Sequence, residues 1–204
     1  ARGAKRAKSA LKGILQPFVP LQIEWFAKNE LGTLKVAEID SKPLILTEKY
    51  LLSGLYMNEL LSRVLTRYDM HTDLFSSYEN TLLALFERQN PEPLLRTFEL
   101  KLLTSLGYGL QLDHVFENGL TVDPEKFYYY RAQHGVISAA QSDQYIHSTQ
   151  NAQAFLGAHL IAIQLGDFSD QAVLKTAKRV TRLAIASLIG NKPIVSRSLF
   201  VTGK

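Results

Sequence analysis

The chain has no cysteine. That excludes a disulfide, a thiolate metal site and a cysteine nucleophile, and it fits a protein of the reducing cytosol. No apolar run is long enough to span a membrane, because Lys, Glu, Gln or His interrupts each candidate stretch. An apolar signal-peptide core before Gly13 is missing as well. The glycine-rich phosphate loops and the G-x-S-x-G nucleophile elbow do not occur. The histidines (His71, His114, His134, His147, His159) are scattered, with no H-E-x-x-H and no i, i+4 pair, so each reads as a surface or packed imidazole. Tyr128-Tyr129-Tyr130-Arg131 reads as a strand with alternating faces, not as a tyrosine nucleophile.

Acid is missing from both ends. From Ala1 to Ile23 there are five cations and no carboxylate, and from Gln171 to Lys204 there are seven more, again with none. All 19 acids therefore lie between Glu24 and Asp170, facing the remaining 11 cations. A net charge of +4 conceals a chain that is +5, then −8, then +7. Such segregation builds a field that a polyanion senses although the total is modest; the plainer alternative is two solvated basic segments.

At 204 residues, with 46% hydrophobic and 21% charged content, the chain is long and apolar enough for a real core, in one large or two small domains. It starts with Ala1 in a basic run, which points to a chain that begins inside its first domain. Residues 14–40 read as strands: Leu21, Ile23 and Trp25 alternate with polar neighbours, residues 29–32 turn, and Leu34, Val36 and Ile39 continue. The period then becomes helical, from Thr47 through Leu65, from Asp73 to Arg88, and from Leu94 to a stop at Gly107-Tyr108-Gly109. Residues 110–150 lose that period, with Phe127–Arg131 and Val136-Ile137 as short strands. Helices resume between Ala152 and Gly166 and again from Ser169, read as the N-cap, to Ile189.

Lys175, Lys178, Arg179 and Arg182 stand at i, i+3, i+4 and i+7, on one helical face, with Val173, Val180, Leu183, Ala184 and Ile185 assigned to the opposing core. Four cations in two turns repel one another, and a phosphate backbone relieves the repulsion. At the other end Arg2, Lys5, Arg6, Lys8 and Lys12 alternate with small residues, as loops that contact phosphate do. Phe18, Trp25 and Phe26 lie close in sequence as base-stacking candidates, with Trp25 assigned to the core.

Taken in order, several stretches resemble the RecO family of bacterial recombination mediators. Arg2-Gly3-Ala4, Leu11-Lys12-Gly13 and Leu15-Gln16-Pro17-Phe18 are similar to the middle of its N-terminal OB-fold. Tyr56 to Leu60 is similar to its first long helix, Pro91 to Pro93, Arg96 to Leu100 and Leu106 to Gly109 to its next signature, and Lys192-Pro193, Ser196-Arg197 and Leu199-Phe200 to its C-terminal end. The similarity runs across essentially the whole chain.

The resemblance implies an α+β protein: a partial OB-fold β-barrel over residues 1–42, then a mainly helical domain over 43–204 with a non-helical insertion at 110–150. It implies no enzyme and no cofactor. It implies binding of single- and double-stranded DNA through the basic residues above, strand annealing, and contact with the acidic tail of the single-stranded DNA-binding protein SSB. It further implies work with RecR to load RecA, no membrane association, a monomer when free, and a place at the bacterial nucleoid. A tail ending in acids and an aromatic needs an apolar pocket rimmed by cations, and Arg96, Phe98, Lys101 and Leu102 are the expected pocket. Two departures stand out: the first OB strands are not in the sequence, and the four-cysteine zinc ribbon of many relatives has no counterpart at 110–150, so no zinc is expected. Two other readings compete, an OB-fold RNA-binding module and a metal-dependent phosphate-transfer or nuclease enzyme. The second of these would need a carboxylate cluster that the acid spacing does not supply.

Overall fold

The computed structural model describes residues 11–27, 32–139, 153–190 and 192–202, with the side chains of residues 12, 27, 201 and 202 excepted. The fold is α+β. A short α1 (Leu11–Ile14) leads to β1 (Leu21–Ala27) and β2 (Gly32–Ile39), an antiparallel ribbon that pairs Leu21 with Ile39 and Ala27 with Gly32. The register shifts between Glu24 and Trp25. No barrel closes among the described residues. Trp25, expected in the core, is 52% exposed. The reason is geometric: among the described residues the ribbon has only two strands and no facing sheet, so the indole rests along its own partner strand at Gly32.

The ribbon is tied to the rest through Phe18. Its carbonyl accepts from the Leu44 amide at 3.0 Å, and its ring sits against Gly54 and Leu46. A Cβ at Gly54 would stand 2.7 Å from the Phe18 ring, so only glycine lets the ring reach the next helix. Phe18 thus serves packing, while Phe26 remains exposed.

Three helices follow: α2 (Glu48–Val64), α3 (Thr72–Phe86) and α4 (Pro91–Ser105). Asn90 caps α4 by accepting from the Glu92 amide at 3.2 Å, with Pro91 in the first turn, where its missing N–H costs nothing. Met57, Leu60, Leu85, Phe98, Leu102 and Leu103 interdigitate between these helices and are fully enclosed. That is the heart of the core.

Residues 110–139 are not a loose appendage. β3 (Phe127–Arg131) lies between β4 (Gly135–Ser138) and β5 (Phe155–Leu156), antiparallel to both. Tyr128 and Tyr130 point into the helical core together with Val115, Val122, Val136 and Phe155, as the period-2 reading requires. Burial pushes the Tyr130 phenol up to about 12.

Three sequence expectations need correction. The helix expected from Ala152 begins later, as α5 (Gly157–Leu165), because Phe155 and Leu156 first complete the sheet against Tyr128 and Phe127. The N-cap of α6 (Gln171–Ile189) is Asp170, whose carboxylate accepts from the Ala172 amide at 2.7 Å; the Ser169 hydroxyl is committed to Asp167 at 2.7 Å. A final helix, α7 (Val195–Thr202), was not foreseen, because its first amides are satisfied from far away in sequence.

Candidate nucleic-acid interface

Helix α6 separates its residues cleanly. Val173, Leu174, Ala177, Val180, Ala184 and Ile185 are buried, and Lys175, Lys178, Arg179 and Arg182 all face solvent. Leu183, assigned to the core from sequence, is exposed beside Arg179, about 40° around the helix at ~100° per residue. The core side is instead completed by Leu174 and Ala177.

The cations on this face have little company of opposite sign. Lys178 approaches the Glu92 carboxylate at 4.0 Å, with both side chains about half exposed. Lys175, Arg179 and Arg182 make no ion pair among the described residues. Burial holds the Lys178 ammonium below its ordinary pKa, and the Arg182 guanidinium adds to the effect. Arg182 is also held down, by burial first and then by Arg197 and Arg96. Beyond burial, neighbouring cations on this side of the molecule disfavour one another's charge.

Beneath this face lies a buried polar network. Glu99 of α4 is fully enclosed; it accepts from Arg96 at 2.7 Å, from the Tyr56 hydroxyl at 2.6 Å and from the Thr181 hydroxyl. Arg197 of α7 donates to the Tyr56 oxygen at 3.1 Å and lies over its ring. Burial, and then the nearby Glu99 charge, push the Tyr56 phenol far above its ordinary pKa, so it remains a donor. Helices α2, α4 and α6 therefore meet on one carboxylate, and α7 joins them through Tyr56.

A second carboxylate works from the surface. Glu59 of α2 accepts from the Val195 amide at 2.8 Å and the Ser196 amide at 2.7 Å, capping α7, and pairs with Arg63. Arg63 in turn donates to the carbonyls of Lys192 and Pro193 at 2.8 and 2.7 Å. Partial burial opposes ionisation of Glu59, but the Ser196 and Val195 donors and Arg63 outweigh it and hold the carboxyl below its ordinary range.

The remaining expected site residues fall as follows. Arg2, Lys5, Arg6 and Lys8, and the side chain of Lys12, lie outside the described residues. The four residues expected to form one pocket do not share one surface. Phe98 and Leu102 are enclosed in the core, Arg96 is buried against Glu99, and Lys101 is exposed on another face of α4. Amphipathic spacing made the two apolar residues look available, whereas α3 and α6 close over α4. Sequence reasoning missed Arg197 as a neighbour of Arg182 and Glu99 as the hub. The available signal was an acid at i+3 from an arginine inside a run of core leucines. Among the described residues no three His, Asp or Glu side chains gather closely enough to hold a metal ion, and no helix is long and apolar enough to cross a membrane.

Residues 49–198 match the family described as Recombination protein O C terminal, and residues 1–42 match Recombination protein O N terminal. The chain is 43% identical over 201 residues to the DNA repair protein RecO of Vibrio parahaemolyticus, covering 98% of this chain and 79% of that protein. It is 42% identical to the proteins of the same name from Actinobacillus succinogenes and Mannheimia succiniciproducens, covering 98% of this chain and 81% and 85% of theirs.

Proposed function

The chain belongs to the RecO family, and on that premise we propose that it acts in DNA repair and recombination as a DNA-binding mediator, not an enzyme. The observation that carries this reading is the exposed face of α6, where Lys175, Arg179 and Arg182 have no ion-pair partner among the described residues and Lys178 has only a distant one. Phosphates of single- or double-stranded DNA supply the missing charge. The basic N-terminal run, Arg2, Lys5, Arg6, Lys8 and Lys12, offers further cations to phosphate. Holding strands along such a surface favours their annealing, since it offsets phosphate repulsion.

In the finer reading the protein also binds the acidic tail of SSB and, with RecR, helps RecA onto SSB-coated strands. Four cations, Lys178, Arg182, Arg197 and Arg96, gather around Glu99 and the edge of Glu92, leaving a net positive rim suited to a peptide's carboxylates. Arg96 contributes from below the surface, and Lys101 offers a separate contact. An RNA-binding role would use the same phosphate chemistry; a preference for RNA over DNA of the same sequence would favour it.

The test is fluorescence anisotropy of a labelled single strand across salt concentrations. With four or five phosphate contacts the log–log slope should be near −3, at about −0.7 per contact. A slope near zero would remove the basic face from the footprint. A labelled SSB tail peptide, with and without its terminal aromatic, checks the second partner: saturable binding lost with the aromatic supports it, and no binding by the folded chain removes it.

A further inference from the structure

Trp25 of β1 and Tyr68 of the α2–α3 loop come from different parts of the chain, yet their rings face one another. The centroids are 6.2 Å apart and the planes lie within 23° of parallel. Neither ring is in the core: Trp25 is 52% and Tyr68 67% exposed. About half or more of each residue stays exposed although the rings touch, so ring surface remains open to a ligand.

The seat of the indole is built into the strand. A Cβ at Gly32 would lie 2.8 Å from Trp25 Cε3, so glycine there lets the indole lie flat on the paired strand. The register shift between Glu24 and Trp25 re-aims the side chain relative to the strand before it, as bulges do. On the other side Tyr68 holds φ at +66°, a conformation that a bulky residue adopts only when its surroundings require it. Ile23, Glu24, Phe26 and Lys35 line the open depression next to the indole, and Glu24 is paired with Lys35 at 3.6 Å.

A base held between two rings needs two stacking intervals, roughly 6.8 Å at ~3.4 Å each. Centroids 6.2 Å apart are those of an offset-stacked pair in contact, so a base enters only when the loop carrying Tyr68 swings away from the indole. Every nucleobase has a face to stack, and the strand held by the basic face supplies one.

We propose that Trp25 and Tyr68 clamp one unpaired base of single-stranded DNA where the ribbon meets the helical part. The inference rests on the DNA-binding reading above and adds a contact of different chemistry, stacking in place of phosphate neutralisation. A base engaged in a duplex cannot enter, so the clamp contributes a preference for single strands. Because it holds no phosphate, it leaves the salt slope alone.

Trp25 is the chain's one tryptophan, so its emission reports this position alone. A short oligothymidylate is titrated while emission is read, and anisotropy of a labelled copy follows total binding in parallel. Emission should be quenched along the same curve as the anisotropy, and a duplex with the same number of phosphates should leave it unchanged. Tyr68→Ala should weaken oligothymidylate binding about 5- to 150-fold, as expected for one lost stacking contact of ~1–3 kcal/mol. Tyr68→Phe should restore it, and the salt slope should be the same in all three proteins. Binding with unchanged emission, together with parental affinity in Tyr68→Ala, overturns the clamp and leaves the phosphate reading standing. No anisotropy change at all overturns both. A lower melting temperature in Tyr68→Ala with emission indifferent to DNA would show that the rings only fasten the ribbon, and this too overturns the proposal.

Discussion

Arginine and lysine are used in two opposite ways within a short distance of each other. Arg96 and Arg63 are compensated: each meets a carboxylate on its own helix, and the pair then reaches across to another helix. Lys175, Arg179 and Arg182 are uncompensated and crowd one solvent-facing stripe. The compensated cations hold helices together, and the uncompensated ones are left available. The clustering of cations was evident from the charge pattern, but which of the two uses each one serves depends on where the carboxylates fold to.

The comparison breaks most sharply at Glu99. Replacing it with Ala leaves Arg96 buried and unpaired, and takes acceptors from Tyr56 and Thr181 as well. Stability should drop by about 3–5 kcal/mol, as for other buried pairs that lose one member. Denaturant unfolding measures it. The double change Glu99→Leu with Arg96→Met should recover much of that loss, because an apolar pair of similar volume carries no desolvation cost. A Glu99→Ala protein as stable as the parent would mean that the network is not structural.

Glu59 is a milder case of the same kind. Glu59→Gln keeps the size of the side chain but weakens its hold on the Val195 and Ser196 amides and on Arg63, and should cost about 1–2 kcal/mol, the range of a strong helix cap. Its pH dependence is distinctive. Because the folded carboxyl is held below its ordinary value of 4.5, its stabilising effect is complete above that value and is lost as pH falls through the lowered folded value. The parent should therefore lose stability on acidification below about pH 4.5 more steeply than Glu59→Gln. Matching acid limbs in thermal melts at stepped pH would show that Glu59 contributes no such linkage.

For the uncompensated stripe the expectation reverses. Lys178→Ala, Arg179→Ala and Arg182→Ala together should leave stability within about 0.5 kcal/mol of the parent, since surface changes of this type rarely do more. Any small change should favour the variant, because like charges are removed. The salt slope of single-strand binding should become shallower by about 2, at ~0.7 for each lost phosphate contact. A large loss of stability would move these residues to the structural class.

Much of the fold was legible in sequence because its signals are local. The ribbon showed in the alternation of Leu21, Ile23 and Trp25, and the stripe on α6 in the i, i+3, i+4, i+7 spacing of its cations. What escaped depends on contacts distant in the chain. Helix α7 has no capping residue of its own, since Glu59, more than a hundred residues earlier, satisfies its first amides. Phe98 and Leu102 looked free to line a pocket until α3 and α6 closed over α4. The exposure of Trp25 and its apposition to Tyr68 could not be read locally either, because they depend on Gly32 across the ribbon and on a loop beyond α2.

Glu92 sits on the boundary between the two classes and gives the finest discrimination. It is the acid nearest the stripe, 4.0 Å from Lys178, and also accepts from Gln171 at 3.2 Å, yet half of its side chain faces water. If Lys178 belongs to the structural class, Glu92→Gln should destabilise the protein measurably. If it belongs to the stripe, the exposed pair is worth about 0–1 kcal/mol, and the substitution should hardly move the melting temperature. The same substitution removes a carboxylate that competes with phosphate for Lys178, so single-strand binding should tighten slightly, on the order of 2- to 5-fold, the equivalent of about 0.4–1 kcal/mol. A change in affinity without a change in stability would place Lys178 among the available cations. The opposite result would place it with Arg63 and Arg96.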